Sequence, residues 1–243
     1  MQHVFGFGLS DVAGWHAALG CPAAPPPVRR RTAMGQLIKS MLSARTRDAV
    51  SIAAYDALVA LFPTPKLLAA ALPAEIEAVV APVTFAADKA AHLAAALAAI
   101  GRERPDYDLA FLAERPLPDA LAWLERLPGV GRKVSASTLN GGTLALPVMI
   151  VDTHVLRVLQ RLGFAGPATD YRAASEAVTA AMPDWSGDDF LLFHIALKRL
   201  GQTTCRWELP ECGRCPLAAD CQMVTRPPAE TPGWTRKLIA RMG

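Results

Sequence analysis

Apolar residues recur at helical spacing along most of the chain. MGQLIKSMLSA at 34–44 and DAVSIAAYDALVALF at 48–62 each put an apolar stripe on one helical face. Pro63, Pro65 and Pro73 punctuate the next stretch, followed by AEIEAVVAPV and AADKAAHLAAALAAIGRE. After a break at PDYD come LPDALAWLERL, a glycine turn, and KVSASTLN. Gly141, Gly142 and Pro147 mark another break. Beyond it, Val155, Leu156, Val158, Leu159 and Leu162 fall at helical spacing and Gly163 supplies a natural stop. DYRAASEAVTAAM and SGDDFLLFHIALKRLGQTTC read as two further helices. No segment alternates apolar and polar residues as a half-buried strand would, so the expected class is all-α.

The ends read differently. CPAAPPPVRRRT at 21–32 holds three successive prolines, which favour an extended linker, so an N-terminal arm ends near residue 27. The tail PPAETPGWTRKLIARMG opens on prolines and closes as a short basic helix.

Composition narrows the picture. With 243 residues, 52% hydrophobic and 19% charged, the chain is a folded protein of one domain or two small interleaved ones. A net charge of +3 is too small to imply a nucleic-acid partner by itself. The start, MQHVFGFGLSDVAGW, lacks a basic leader and a long apolar run, and no stretch is apolar enough to span a bilayer. A soluble, cytoplasmic protein is expected. Nothing in the pattern suggests a heptad or repeat, so a monomer is the default.

Three features carry chemistry. The first is the set Cys205, Cys212, Cys215 and Cys221, spaced C-x6-C-x2-C-x5-C. Four thiolates so close in sequence can wrap one metal centre, either a [4Fe–4S] cluster or a structural zinc ion; zinc sites of four cysteines more often show two C-x2-C pairs. Cys21 stands apart and reads as a small core residue.

The second feature is LPGVGRK at 127–133, with a helix on each side. Gly129 and Gly131 permit a tight turn, and the backbone N–H groups of Gly129, Val130, Gly131 and Arg132 lie at a helix start, where an anion such as a DNA phosphate can bind. An ordinary interhelical turn is the plainer alternative. The third feature is the pair Lys133 and Asp152. A lysine in the first turn of a helix faces the positive end of the dipole, which favours the neutral amine that a Schiff-base nucleophile requires. Taken singly, Lys133 is better explained by a phosphate contact and Asp152 by a helix N-cap; taken with the turn and the cysteines, they are not.

LPGVGRK, VDTHVLRV and the cysteine spacing, in this order, resemble the endonuclease III family of helix–hairpin–helix DNA glycosylases, and MLSARTRD at 41–48 adds to the likeness. The resemblance implies two helical domains flanking a DNA cleft. One would be a six-helix barrel with the helix–hairpin–helix, about 35–146. The other would hold the cluster at 147–243, joined by the arm 1–34. It further implies double-stranded DNA carrying a damaged base or abasic site as partner, and base flipping into the cleft. Lys133 would attack the anomeric carbon, displace a base such as an oxidised pyrimidine, and nick the strand by β-elimination. Asp152 would assist the proton transfers, and the four cysteines would carry [4Fe–4S]. A monofunctional glycosylase, in which Lys133 is only a phosphate contact, and a weakly active lesion-binding homologue are the alternatives. A zinc protein that merely binds DNA is a third.

The chain departs from the family pattern in substrate handling. Arg45 stands where the family has a glutamine that fills the hole left by the flipped base. Arg45 can fill that hole and pair with an orphan guanine, or fold onto an acidic neighbour and obstruct it. Thr84, Phe85 and Ala86 replace a Gly-Leu-Tyr wedge, leaving Phe85 as the apolar wedge residue. The cysteine loop RWELPE carries two glutamates where relatives are basic, although Arg206 and Arg214 remain. Among other residues, Arg29, Arg30 and Arg31 form a basic run that either touches DNA or is solvated. His154 reads as structural support, His194 and Trp123 as packing residues, and Trp207 as a shield over the cluster.

Overall fold

Prolines and short polar residues decide where the helices begin. The computed structural model describes residues 7–24 and 29–225. The helices run in order α1 (Leu9–Ala18), α2 (Ala33–Ser43), α3 (Asp48–Leu61), α4 (Pro65–Ala70), α5 (Pro73–Val80), α6 (Ala86–Glu103), α7 (Leu117–Glu125), α8 (Arg132–Gly141), α9 (Thr153–Leu162), α10 (Tyr171–Ala181), α11 (Gly187–Thr203) and α12 (Gln222–Thr225). No strand occurs among the described residues, so the class is all-α. None of their helices is long and apolar enough to cross a membrane.

Pro65 and Pro73 occupy the first turns of α4 and α5, where a missing N–H costs nothing and the fixed φ suits the helix. They start helices rather than merely separating them. Thr32, Asp152, Asp170 and Ser186 each cap a helix by accepting a backbone N–H. Gly163 closes α9 in the left-handed region, φ 90°.

The described residues up to Ala24 join those from Pro147 onward in one compact unit; those between form the other. The division falls earlier than an arm ending at residue 34. Residues 29–34 belong to the central unit because α2 starts at Ala33, the Arg31 guanidinium lies 4.7 Å from the Tyr55 ring centre, and the Arg31 carbonyl accepts the Thr143 N–H. Arg30 is buried and Arg31 part-buried while Arg29 is exposed, so the three-arginine run is not solvated along its whole length. The basic tail expected beyond residue 226 lies outside the described residues.

In the central unit, Leu37, Ile38, Met41 and Leu42 of α2 are buried, as are Leu93, Leu97 and Ile100 of α6 and Leu121 and Leu124 of α7. α2 also carries a polar stripe toward α8. Gln36 Nε2 donates to Ser40 Oγ at 3.3 Å and to Ser137 Oγ at 3.0 Å, and Ser40 Oγ donates to Ser137 Oγ at 2.9 Å. Such a buried network is tolerated because its members satisfy one another, and it fixes one register of α2 on α8.

The terminal unit is organised around Phe193 of α11, which is fully buried. Its ring lies 5.4 Å from Phe7, 6.4 Å from Trp15 and 5.4 Å from Trp185, tying the N-terminal helix to the C-terminal ones. α1 was not expected from the sequence. Its signal is Val12, Trp15 and Leu19 on one face, with Asp11 accepting the Gly8 N–H at 2.7 Å. Gly201 lets α11 meet α9: a Cβ there would lie 2.9 Å from the His154 Cβ. Replacing Phe193 by alanine should destabilise the protein by about 3–5 kcal/mol, measured by denaturant unfolding, because the ring cluster cannot close the cavity.

Candidate functional site

The glycine turn joins α7 to α8 as a helix–hairpin–helix. Gly129 adopts φ +75°, and a Cβ on it would meet the His92 Cβ at 2.7 Å, so only glycine fits on both counts. Gly131 is the N-cap of α8, with no side chain capping the helix and open space around its Cα. Val130 is buried between them and anchors the turn. A buried ion pair locks the two helices: Arg132 Nε donates to Glu125 Oε1 at 2.6 Å, and Ser135 Oγ donates to the same oxygen at 2.9 Å. Arg132 turns its guanidinium inward to Glu125, and only its backbone remains at the turn. Trp123, behind the hairpin, is buried and donates to Glu103 at 3.0 Å, as a packing residue does.

Lys133, half-buried in the first turn of α8, sends its Nζ to the Ser43 Oγ at 2.6 Å. Ser43 in turn donates to the Ser40 carbonyl at 2.8 Å. The amine is therefore aimed at the C-terminal end of α2. That same end carries Arg45, in the left-handed region at φ 52°. Phe85, at φ 59°, is the N-cap of α6 and is 54% exposed, an unusual state for a large apolar ring. A non-glycine residue held there costs on the order of 1–2 kcal/mol, and such strain concentrates at functional positions. The Arg45 guanidinium carbon lies 6.0 Å from the Phe85 ring centre. Arg45 thus leans on Phe85 rather than on an acidic neighbour. Thr84 is exposed, and its N–H donates to Thr46 Oγ1 at 3.2 Å.

Sequence reasoning passed over what holds these loops. Lys89 is buried in α6, and its Nζ donates to the Leu42 carbonyl at 2.8 Å, the Ala44 carbonyl at 2.7 Å and Thr46 Oγ1 at 2.9 Å. Burial lowers its pKa to about 8; the carbonyls at a helix C-terminus act in the opposite direction. The available signal was a lone lysine on the α6 face otherwise formed by Ala90, Leu93, Ala96, Leu97 and Ile100.

In the terminal unit, Asp152 caps α9, its Oδ1 accepting the His154 and Val155 N–H groups, both at 2.9 Å. Burial opposes its ionisation, but His194, the Val155 N–H, Lys198 and His154 together outweigh burial and hold the carboxyl below the ordinary range. His154 Nδ1 lies 3.3 Å from Arg157 Nη2, and His194 Nδ1 lies 2.9 Å from the Ile150 carbonyl, so both histidines serve the packing around Asp152.

Cys205, Cys212, Cys215 and Cys221 line one cavity, with Arg161, Thr204 and Pro210. Among the described residues, no group of three or more His, Cys, Asp or Glu is arranged as a ready single-ion site. The donor set nevertheless suits a cationic group. Burial, with repulsion from the other three cysteines, raises the Cys215 thiol to about 11, and Cys212 and Cys221 are raised too. Two arginines one turn apart on α9 hold the loop. Arg157 Nε donates to the Cys205 carbonyl at 3.1 Å and its Nη2 to the Gly201 carbonyl at 2.7 Å. Arg161 donates to the Arg206 carbonyl at 2.6 Å and the Trp207 carbonyl at 2.8 Å. Trp207 does not shield the cysteines as expected: it is 69% exposed, with Arg157 5.8 Å from its ring centre. Glu211 pairs with both Arg206 and Arg214, so neither basic side chain of this loop stands clear of a carboxylate.

The chain is similar to known proteins. The model of the HhH-GPD superfamily base excision DNA repair protein matches residues 38–183. Endonuclease III of Thermotoga maritima is 30% identical over 193 residues, covering 78% of this chain and 83% of that protein. The chain belongs to the endonuclease III family of the HhH-GPD superfamily. The chloroplastic endonuclease III homolog 2 of Arabidopsis thaliana is also 30% identical, over 88% of this chain, which spans about half (53%) of that longer relative. Among solved structures, a non-covalent endonuclease III–DNA complex shares the fold with a TM-score of 0.70 at 24% identity, covering 88% of this chain and 92% of that one. A thermostable thymine-DNA glycosylase follows with a TM-score of 0.68 at 18% identity, covering 87% and 94%.

The Asp152 environment has a pH signature. A carboxyl whose pKa is lower folded than unfolded stabilises the protein above the unfolded value and loses that contribution as pH falls through the folded one. Asp152→Asn keeps the cap but not the charge. Its melting temperature should lie below that of the wild type near neutrality, with the gap closing as pH falls below the ordinary carboxylate range.

Proposed function

We propose that this protein is a base excision repair DNA glycosylase with abasic-site lyase activity, and that Lys133 is its nucleophile. The observation that carries the reading is the Lys133 amine, half-buried one residue inside α8, directly after the Gly129–Gly131 turn and held by Ser43 Oγ at 2.6 Å. A hairpin that binds DNA phosphate through the N–H groups of Gly129, Val130, Gly131 and Arg132 would set the sugar of a neighbouring nucleotide near that amine.

The neutral Lys133 amine attacks C1′ of the damaged nucleotide, and the C1′–base bond breaks with its electron pair leaving on the base. Loss of the amine proton and ring opening give an imine between Nζ and C1′. The imine acidifies the C2′ proton, whose removal expels the 3′ phosphate and nicks the strand. Asp152, kept ionised by its surroundings, stabilises the developing positive charge on the sugar and relays protons. Oxidised pyrimidines are the proposed substrate class, in duplex DNA. Phe85 wedges into the stack, and Arg45 fills the gap left by the flipped nucleotide, with its fork suited to an orphan guanine.

Cys205, Cys212, Cys215 and Cys221 would hold a [4Fe–4S] cluster, which orders the 205–221 loop when bound and takes no part in base excision. Purified protein should contain roughly four iron and four sulfide per chain, and Cys215→Ser should lower both. One zinc without sulfide would replace this assignment.

Borohydride trapping tests the nucleophile. Incubation with duplex DNA bearing one abasic site, then borohydride, should give a covalent adduct that Lys133→Ala abolishes while DNA binding persists. Strand nicking that survives Lys133→Ala would show that the amine does not perform the elimination and would favour a monofunctional enzyme.

A further inference from the structure

The wedge residues sit on two separate loops, and something must hold these in one arrangement before DNA arrives. Arg45 lies between α2 and α3, Phe85 between α5 and α6, and both occupy the left-handed region without glycine's freedom. The 6.0 Å approach of the Arg45 guanidinium to the Phe85 ring is a weak attraction at an exposed site and is insufficient to order two loops. Lys89 is better placed. It is rooted one turn inside α6, immediately behind Phe85, yet all three of its oxygen partners lie on the other side: the Leu42 and Ala44 carbonyls and the Thr46 hydroxyl. Thr46 Oγ1 also accepts the Thr84 N–H at 3.2 Å, which returns the link to the residue before Phe85. Ala44 and Thr46 flank Arg45 on either side.

We propose that Lys89 is a positioning residue for nucleotide flipping: its ammonium, with Thr46, clasps the Arg45 loop to the Phe85 turn so that both side chains are presented together. The inference rests on the reading of Arg45 and Phe85 as the wedge. Three acceptors match the three N–H bonds of an ammonium, so the clasp leaves Lys89 no spare donor. Buried ammonium groups are costly unless bonded in this way, which is why the site draws its oxygens from the end of a helix. The clasp spares DNA binding the cost of ordering the loops. Its loss should therefore affect flipping far more than binding to undamaged duplex, which the hairpin amides serve.

The test uses the full-length protein and duplex DNA in which 2-aminopurine stands next to a lesion or abasic site, so that fluorescence reports unstacking. Wild-type protein should raise the fluorescence. Lys89→Met should reduce the flipped fraction about ten-fold or more at saturating protein, with affinity for undamaged duplex changed less than about two-fold, as expected when preorganisation rather than contact is lost. Thr46→Val, which removes the shared hydroxyl without burying a new group, guards against a Lys89 variant that fails to fold. It should lower flipping by a smaller factor and add nothing on top of Lys89→Met. Equal flipping by wild type and folded Lys89→Met would overturn the proposal, as would simple additivity of the two substitutions. If the wild type produces no fluorescence change while Phe85→Ala binds normally, the wedge reading itself is at fault rather than the clasp.

Discussion

The C-terminal end of α2 is the point on which the central unit depends. The last carbonyls of a helix have no partner within it and carry partial negative charge, so they attract cations and demand donors. Here two lysines converge on that end. Lys89 takes the Leu42 and Ala44 carbonyls, and Lys133 takes the Ser43 hydroxyl. Upstream, the Gln36–Ser40–Ser137 network fixes the register of α2 on α8. A shift of α2 by one residue would break that network, strand the buried Lys89 ammonium and release the Lys133 amine at once. One helix end therefore positions both the candidate nucleophile and the loop bearing Arg45.

A comparable economy governs the hairpin. Arg132 is the basic side chain nearest the turn, yet it is spent internally on Glu125, tying the start of α8 to the end of α7. A buried ion pair of this kind adds little net stability but strongly penalises the loss of either partner, so it enforces one geometry. With the guanidinium committed, the turn has backbone amides to offer an anion, and amides at a fixed helix start give position without a salt-sensitive point charge. In the cysteine loop Glu211 also pairs with Arg206 and Arg214, but both arginines are exposed, so these pairs hold the loop far less firmly. Arg132, Arg157 and Arg161 therefore work as internal fastening.

In the terminal unit, α9 joins two functions along one rod. Its N-cap is Asp152, and Arg157 and Arg161, one turn and two turns beyond, grip the loop that begins at Cys205. Whatever orders that loop is thereby coupled to the helix that holds the carboxylate. Gly201 makes the coupling tight, because the absence of a Cβ lets α11 close on His154.

Patterns local in sequence were legible in advance. Helical periodicity, the Asp152 and Gly163 caps, the glycine turn and the cysteine spacing are each encoded within a few residues, where propensity and backbone geometry decide the outcome. α1 escaped notice because its stripe is short and stands alone, and its stability comes from aromatic rings far along the chain. The roles of Arg132, Arg30, Trp207 and Lys89 were decided only by the tertiary structure. A long charged or aromatic side chain reads the same in sequence whether it reaches solvent, DNA or a buried acceptor. Which of these it reaches depends on which oxygens and carboxylates the fold brings within about 3 Å, and those come from other elements.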